Sequence, residues 1–310
     1  MPLPNFLVIG AAKSGTTSLH RYLREHPEIY VPARREPSFF AHEGEELHFK
    51  GPGDDEWSFV TDVESYQRLF EGAEGYTAVG ELSPRYLYFR RSSERIQRYI
   101  PDARLVVILR HPVDRAYSHF LMNRDRLCEP EPDFATALGL GSKRAQRGWG
   151  WDWQYVEAGL YHKQLKRYYS VFDVNKIRVF LYEEYKSNPN TFFSELFAFL
   201  GVDASFRPDT SVRHRQAAIP RIPVLRALLD RPNVIKSWAI QVIPYSLVKD
   251  MYSHVKRSVR EWNRVTPDPL SPMIRDELFD RFFEADCTKL EALIGRDLSE
   301  WRGVKLDDKK

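Results

Sequence analysis

The alternation of apolar and polar positions predicts an ordered series of short elements. Phe6-Leu-Val-Ile9 is a brief apolar run ended by Gly10, which reads as a buried strand. After the turn Gly-Ala-Ala-Lys-Ser-Gly-Thr-Thr, residues Ser18 to His26 have helical spacing and stop at Pro27. Strands are expected at Thr77–Gly80, Arg104–Leu109 and Ile177–Tyr182. Helices are expected at Ser92–Tyr99, Val113–Leu127, Val156–Tyr169 and Thr191–Leu200, the last closed by Gly201. Strands alternating with helices predict an α/β fold with a mostly parallel sheet covered on both faces.

Past residue 205 the strand signal fades, and Pro220, Pro223, Pro232 and Pro244 separate short helical stretches. Ser271 then caps a segment with Pro272 at its first position, and the apolar stripe Ile274, Leu278, Phe282, Phe283, Leu290 and Ile294 predicts one helix ending at Gly295. Without a long linker or repeat, the expectation is a single domain over 1–310: an α/β nucleotide-binding core over 1–205 and a mainly helical extension over 206–310, frayed from Lys305 to Lys310.

Composition narrows the class. The 310 residues are 43% hydrophobic and 29% charged, a globular balance that excludes disordered and collagen-like chains. No apolar run is long enough for a membrane span, and no basic leader opens the chain, so a cytoplasmic location is expected. Cys128 and Cys287 are too few for a disulfide framework, and no Cys/His spacing suggests zinc. The net charge of +3 argues against a general nucleic-acid binder. Residues 207 to 264 nevertheless hold twelve Lys/Arg against four Asp/Glu, either a solvated face or an anion-facing surface.

The candidate chemistry lies in the first loop. Gly10 and Gly15 have the G-x4-G spacing of a phosphate loop, between a strand and a helix, where backbone amides and the helix N-terminus converge on an anion. A Walker loop has Lys after the second glycine; here Thr16 takes that place and Lys13 lies earlier. The strand Leu105–Leu109 ends in Arg110 rather than in a carboxylate that could hold Mg2+, and a guanidinium fork matches a phosphate monoester. A donor whose phosphates are neutralised by protein groups fits this set, with no metal.

These residues resemble the sulfotransferases that use 3'-phosphoadenosine 5'-phosphosulfate (PAPS), in their bacterial and Golgi carbohydrate-type branch. Lys13-Ser14-Gly15-Thr16-Thr17-Ser18 is similar to the family's 5'-phosphosulfate loop. Arg110-His-Pro-Val-Asp-Arg-Ala-Tyr-Ser118 is similar to its 3'-phosphate segment, which implies that Arg110 and Ser118 bind that phosphate. Further matches are His26 to Phe40, Gly80 to Tyr86 and Val179 to Pro189, so the resemblance covers residues 5 to 205. It implies that Tyr182 contacts adenine, since Ser18 stands where the cytosolic branch has a stacking Trp. Arg213-His214-Arg215 is the one substitute for the family's basic loop, and Arg35-Glu36 replaces its Lys-Glu before x-Phe-Phe.

For sulfuryl transfer, Lys13 would donate to the bridging oxygen while the loop amides and the Thr16 and Thr17 hydroxyls hold the 5'-phosphate. The resemblance makes Glu81, in Glu-Leu-Ser-Pro, the base that activates an acceptor hydroxyl; its place at a strand end suits that role, although pairing with Arg85 or Arg90 is an alternative. His20, His26, His42 and His111 are rival bases. The acceptor, a hydroxyl or amine of a small molecule, glycan or carrier-bound chain, is open. Phe39, Phe40, Trp57, Tyr86, Tyr88 and Tyr155 are packing or acceptor-site aromatics, and the run Gly148-Trp-Gly-Trp-Asp-Trp153 is a candidate cap over an acceptor. A P-loop kinase and a non-catalytic anion- or glycan-binding module are the competing functions.

Overall fold

The computed structural model describes residues 3–53, 58–210, 218–230, 258–259 and 261–303. Five parallel strands, β1 (Phe6–Gly10), β2 (Ile29–Tyr30), β3 (Ala78–Leu82), β4 (Arg104–Leu109) and β5 (Ile177–Leu181), form a sheet in the order β2-β3-β1-β4-β5. Val8 of β1 lies opposite Leu82 on one side and Val106 on the other. Every residue of β1 and β3 is buried, as expected of central strands covered on both faces. The β1 connection leads toward the β2 edge and the β4 connection toward the β5 edge. The crevice at the C-terminal ends of β1 and β4 is therefore the switch point where open α/β sheets bind ligands.

The period-two pleat divides the core. Phe6, Val8, Val106 and Ile108 face the helices α1 (Thr16–Glu25) and α5 (Pro189–Leu200), through Leu19, Leu23, Phe193 and Phe197. Leu7, Ile9, Leu105, Val107 and Leu109 face α2 (Ser92–Tyr99), α3 (Pro112–Asp125) and α4 (Tyr161–Tyr169). The same second cluster takes in Phe279 of α6 (Pro272–Phe282) and Cys287 and Leu290 of α7 (Glu284–Ile294). Each buried large apolar side chain contributes about 1.5–3 kcal/mol, so these C-terminal helices are packed onto the α/β core and share it.

Element types follow the sequence pattern, with boundaries moved by capping. α1 begins two residues before the expected Ser18 because Gly15, at φ +85°, turns the chain straight into the helix. Pro112 and Pro189 occupy first-turn positions of α3 and α5, and Asn188 accepts from the Thr191 amide at 3.3 Å. Tyr182 opens a short helix (Tyr182–Ser187) rather than closing β5. The segment expected as one helix over Val156–Tyr169 is a 3-10 turn at Glu157–Gly159 followed by α4. The single helix expected from Ser271 to Ile294 is broken at Phe283, whose fully buried ring drops into the core between α6 and α7. Beyond residue 205 a two-residue antiparallel pair, β6 (Ile219–Pro220) with β7 (Arg264–Val265), appears where no strand is expected. Such pieces are too short to carry an alternation. Trp57, Pro232, Pro244, Lys305 to Lys310 and the Arg213-His214-Arg215 triplet lie outside the described residues.

Candidate active site

Residues 10–15 turn tightly over the C-terminal end of the sheet. The Ala11 amide donates to Ile108 O of β4 at 2.8 Å and the Ser14 amide to Ala11 O at 3.3 Å. Lys13 holds a left-handed backbone at φ +69°, a conformation a residue with a Cβ adopts only where its surroundings impose it. Its Nζ lies 3.4 Å from Met122 Sδ of α3. Ser14 is fully buried and its hydroxyl has no hydrogen-bond partner among the described residues, while Thr16 is buried, Ser18 half-buried and Thr17 exposed at the start of α1. The Ser18 amide donates to Gly15 O at 3.1 Å, which leaves the Thr16 and Thr17 amides as the first-turn groups without an intrahelical acceptor.

Arg110 meets this loop at the crevice. Its Nη1 donates to Lys13 O at 3.1 Å, and its guanidinium carbon lies 4.9 Å from the centroid of the Tyr182 ring. A Cβ on Gly15 would stand 2.8 Å from Tyr185 Cε1 and 3.2 Å from Tyr182 Cε2, so only glycine leaves the loop seated against these rings. Lys13, Gly15, Arg110 and Tyr182, over 160 residues apart at the extremes, thus share one cradle. Ser118 is half-buried further along α3.

Three of the rival histidines are tied to backbone carbonyls. His20 Nε2 pairs with Pro32 O at 2.9 Å, His26 Nε2 with Asp203 O at 3.0 Å, and His111 Nε2 with Trp301 O at 2.9 Å. Burial holds His42 and His111 near pKa 4, neutral across the physiological range.

Glu81 stands at the end of β3, as expected, but is 1% exposed. Among the described residues no arginine pairs with it. Tyr86 and Tyr66 hydroxyls donate to Oε1 at 2.6 and 3.3 Å, and Ser83 donates to Oε2 at 2.8 Å. Burial raises its pKa from 4.5 to about 7, against the three hydroxyl bonds, which favour the ionised form. The native state therefore keeps a proton that the unfolded chain has lost between those pH values. The stability this group contributes is fully present below pH 4.5 and falls as pH rises through 7, by on the order of 3 kcal/mol. Thermal melts should show Glu81→Gln losing less stability than the native chain across that window; parallel curves for the two would contradict the raised pKa. Gly80 beside it is needed for packing rather than for ligand approach: a Cβ there would come within 2.5 Å of the Phe6 ring.

A second carboxylate, less enclosed than Glu81, lies near Lys13. Glu36 is half-buried with φ +50°, the second left-handed residue at the site. Burial pushes its pKa up, while the positive charges of Arg85, Arg35 and Lys13 oppose that shift and Asp152 adds to it. No side chain among the described residues hydrogen-bonds its carboxylate.

Beneath it runs a charge network that sequence reasoning missed. The Arg85 guanidinium, 2% exposed, lies 3.7 Å from Asp152 Oδ2 and stacks between Phe59 and Trp151 at 4.6 and 4.9 Å. His119 Nε2 reaches Asp152 Oδ1 at 3.3 Å, and its Nδ1 faces Arg115 Nη1 at 3.4 Å, which assigns the ring proton to Nε2. Arg85 was weighed as a partner for Glu81 and pairs instead with Asp152, which was visible only as a member of the tryptophan run. That run does not form an exposed cap: Trp151 and Trp153 are 6% and 1% exposed, and Trp153 Nε1 donates to Cys128 O at 2.9 Å. Trp151 packs with Ala12 of the phosphate loop and with Tyr88, so it forms a wall of the site through its packed face.

Comparison with known proteins gives the family. Residues 3–218 match the family described as Sulfotransferase domain. The crystal structure of a sulfotransferase from Alicyclobacillus acidocaldarius superposes with a TM-score of 0.75 at 33% identity, covering 98% of this chain and 100% of that one. Mouse bifunctional heparan sulfate N-deacetylase/N-sulfotransferase 4 is 28% identical over 205 residues, 64% of this chain and 22% of the mouse protein. Human heparan sulfate glucosamine 3-O-sulfotransferase 3B1 is 26% identical over 201 residues, 64% of this chain and 46% of the human protein. The chain thus spans less than half the length of these two curated relatives. Among the described residues no helix is long and apolar enough to cross a membrane. The phosphate loop, Arg110 and the two carboxylates all fall inside the matched residues, and a bacterial sulfotransferase superposes along nearly the whole chain, so this protein belongs to the sulfotransferase domain family.

Proposed function

We propose that the protein transfers a sulfuryl group from PAPS to a hydroxyl or amine acceptor, with Lys13 as the electrophilic helper and Glu36, rather than Glu81, as the base. The observation that carries the donor assignment is the meeting of Arg110, Lys13 and Tyr182 around Gly15. The Ser14 hydroxyl, without a hydrogen-bond partner among the described residues, and the tight turn of backbone amides around it suit a phosphate group held by neutral donors and one lysine. Arg110 offers a fork for the 3'-phosphate, with Ser118 further along the same segment, and Tyr182 a ring for adenine.

When bound, PAPS supplies a sulfuryl group already activated on a phosphosulfate anhydride. The loop amides and the Thr16 and Thr17 hydroxyls hold the 5'-phosphate end, and Ser14 and Ser18 complete the loop. Lys13 places a positive charge where the leaving oxygen gains negative charge. Glu36 takes the acceptor proton: burial lifts its basicity, and Lys13 and Arg85 lie close enough to act on its charge. A base must come within hydrogen-bond reach of its proton, and Glu81 is enclosed by three hydroxyls that occupy both its oxygens.

Thermal shift with 3'-phosphoadenosine 5'-phosphate (PAP), set against ADP, tests the donor, and mass spectrometry of products from PAPS with a panel of alcohols and amines tests the transfer. PAP should stabilise more than ADP, and Arg110→Ala should erase that difference by weakening PAP about 30-fold or more, the loss of a charge-assisted contact. Equal stabilisation of the native protein by PAP and ADP would overturn the donor assignment, and Mg2+-dependent use of ATP would favour a kinase.

A further inference from the structure

The enclosure of Glu81 has a second side. Two of the hydroxyls that donate to it also accept from the backbone of the segment that carries Glu36. Ser83 Oγ donates to Glu81 Oε2 at 2.8 Å and accepts from the Ser38 amide at 3.0 Å. Tyr86 OH donates to Glu81 Oε1 at 2.6 Å and accepts from the Phe40 amide at 3.4 Å. A hydroxyl has one proton and two lone pairs, so a proton committed to a carboxylate leaves only acceptor capacity toward other neighbours.

The 36–40 segment needs such help. Glu36 and Ser38 both adopt left-handed backbone, at φ +50° and +58°, and Ser38 caps the one-turn helix Phe39–His42 without a side-chain bond to it. The Ser38 hydroxyl instead donates to Glu36 O at 3.1 Å. The amides of this bend are buried and must find acceptors elsewhere. The rings of the enclosure pack on the same bend: Tyr66 stacks on Phe39 at 4.5 Å, and Tyr86 meets Phe40 edge-on at 5.5 Å.

We propose that Glu81 is a positioning residue, whose carboxylate orients the Ser83 and Tyr86 hydroxyls so that they hold the Ser38 and Phe40 amides and thereby fix the bend that presents Glu36 to the acceptor. The proposal rests on the reading of Glu36 as the base. An apolar or amide group at position 81 would leave at least one hydroxyl proton without its acceptor and release its oxygen to rotate. The effect reaches the reaction through the aim of Glu36 and through the charge repulsion between the two carboxylates.

The test is amide hydrogen exchange of the peptide spanning residues 37–41, followed by mass spectrometry, in the native protein, Glu81→Gln, Ser83→Ala and Tyr86→Phe, alongside PAP affinity and steady-state turnover. Glu81→Gln should speed exchange at Ser38 and Phe40 by about tenfold or more, as expected when a local bond network opens without global unfolding. PAP affinity and the KM for PAPS should stay within about twofold while kcat falls roughly tenfold, the signature of a misaligned base. Ser83→Ala should affect Ser38 alone and Tyr86→Phe Phe40 alone, and either carries the test if Glu81→Gln fails to fold. Unchanged exchange at both amides in Glu81→Gln would overturn the proposal whatever the activity. If exchange is unchanged, turnover is lost in Glu81→Gln and Glu36→Gln remains active, the assignment of Glu36 as base fails instead, and Glu81 takes that role.

Discussion

Lys13→Ala is expected to keep its fold and its nucleotide while turnover falls by roughly 100- to 1000-fold, the loss of one positioned group that stabilises transition-state charge. Lys13 is half-exposed and no part of the apolar core, so the substitution removes little packing. Alanine also keeps the Cβ, so the left-handed backbone at φ +69° is no more strained than before. The loop amides and Arg110 still hold the phosphates, and PAP affinity should change by far less than kcat. Comparison of kcat at saturating PAPS with the melting temperature separates chemistry from folding. Native turnover in this variant would remove Lys13 from the mechanism.

Glu36→Gln should lower turnover by about 100-fold or more, the usual contribution of a positioned general base, with PAP affinity unchanged. The pH profile supplies a sharper reading. Burial raises the Glu36 pKa above the ordinary carboxylate value, the base form grows as pH rises, and turnover climbs along the same limb. In Glu36→Gln that limb should vanish. Glu81 titrates at about 7 and lies in contact with the hydroxyls that hold the Glu36 segment, so its own contribution must be identified separately. A limb that survives in Glu36→Gln and disappears in Glu81→Gln would return the base role to Glu81.

The most legible features in the chain were those governed by neighbours along the backbone. The strands Phe6–Gly10 and Arg104–Leu109 and the helix Ser92–Tyr99 follow from short apolar periodicity, and Pro112, Pro189 and Gly201 mark helix ends by removing or relaxing local backbone constraints. The phosphate loop was legible for the same reason, since a glycine at positive φ between strand and helix is a local requirement. Helix breaks imposed from outside were not: Phe283 interrupts a continuous helical stripe because the core takes its ring, and no adjacent residue signals it.

The sequence by itself determined the α/β alternation, the glycine loop with its displaced lysine, and the arginine that follows β4, because each depends on interactions spanning a few residues. Which carboxylate is enclosed was decided by the tertiary structure. Glu36 and Glu81 are both acidic residues beside small turns, and their difference arises from Tyr66, Ser83 and Tyr86 closing over one of them while Lys13 and Arg85 approach the other. The same holds for the tryptophan run, whose rings turned inward onto Arg85 and Cys128. Burial and electrostatic surroundings are sums over residues distant in sequence, so a motif can place an acid at a strand end without specifying whether solvent or substrate will reach it.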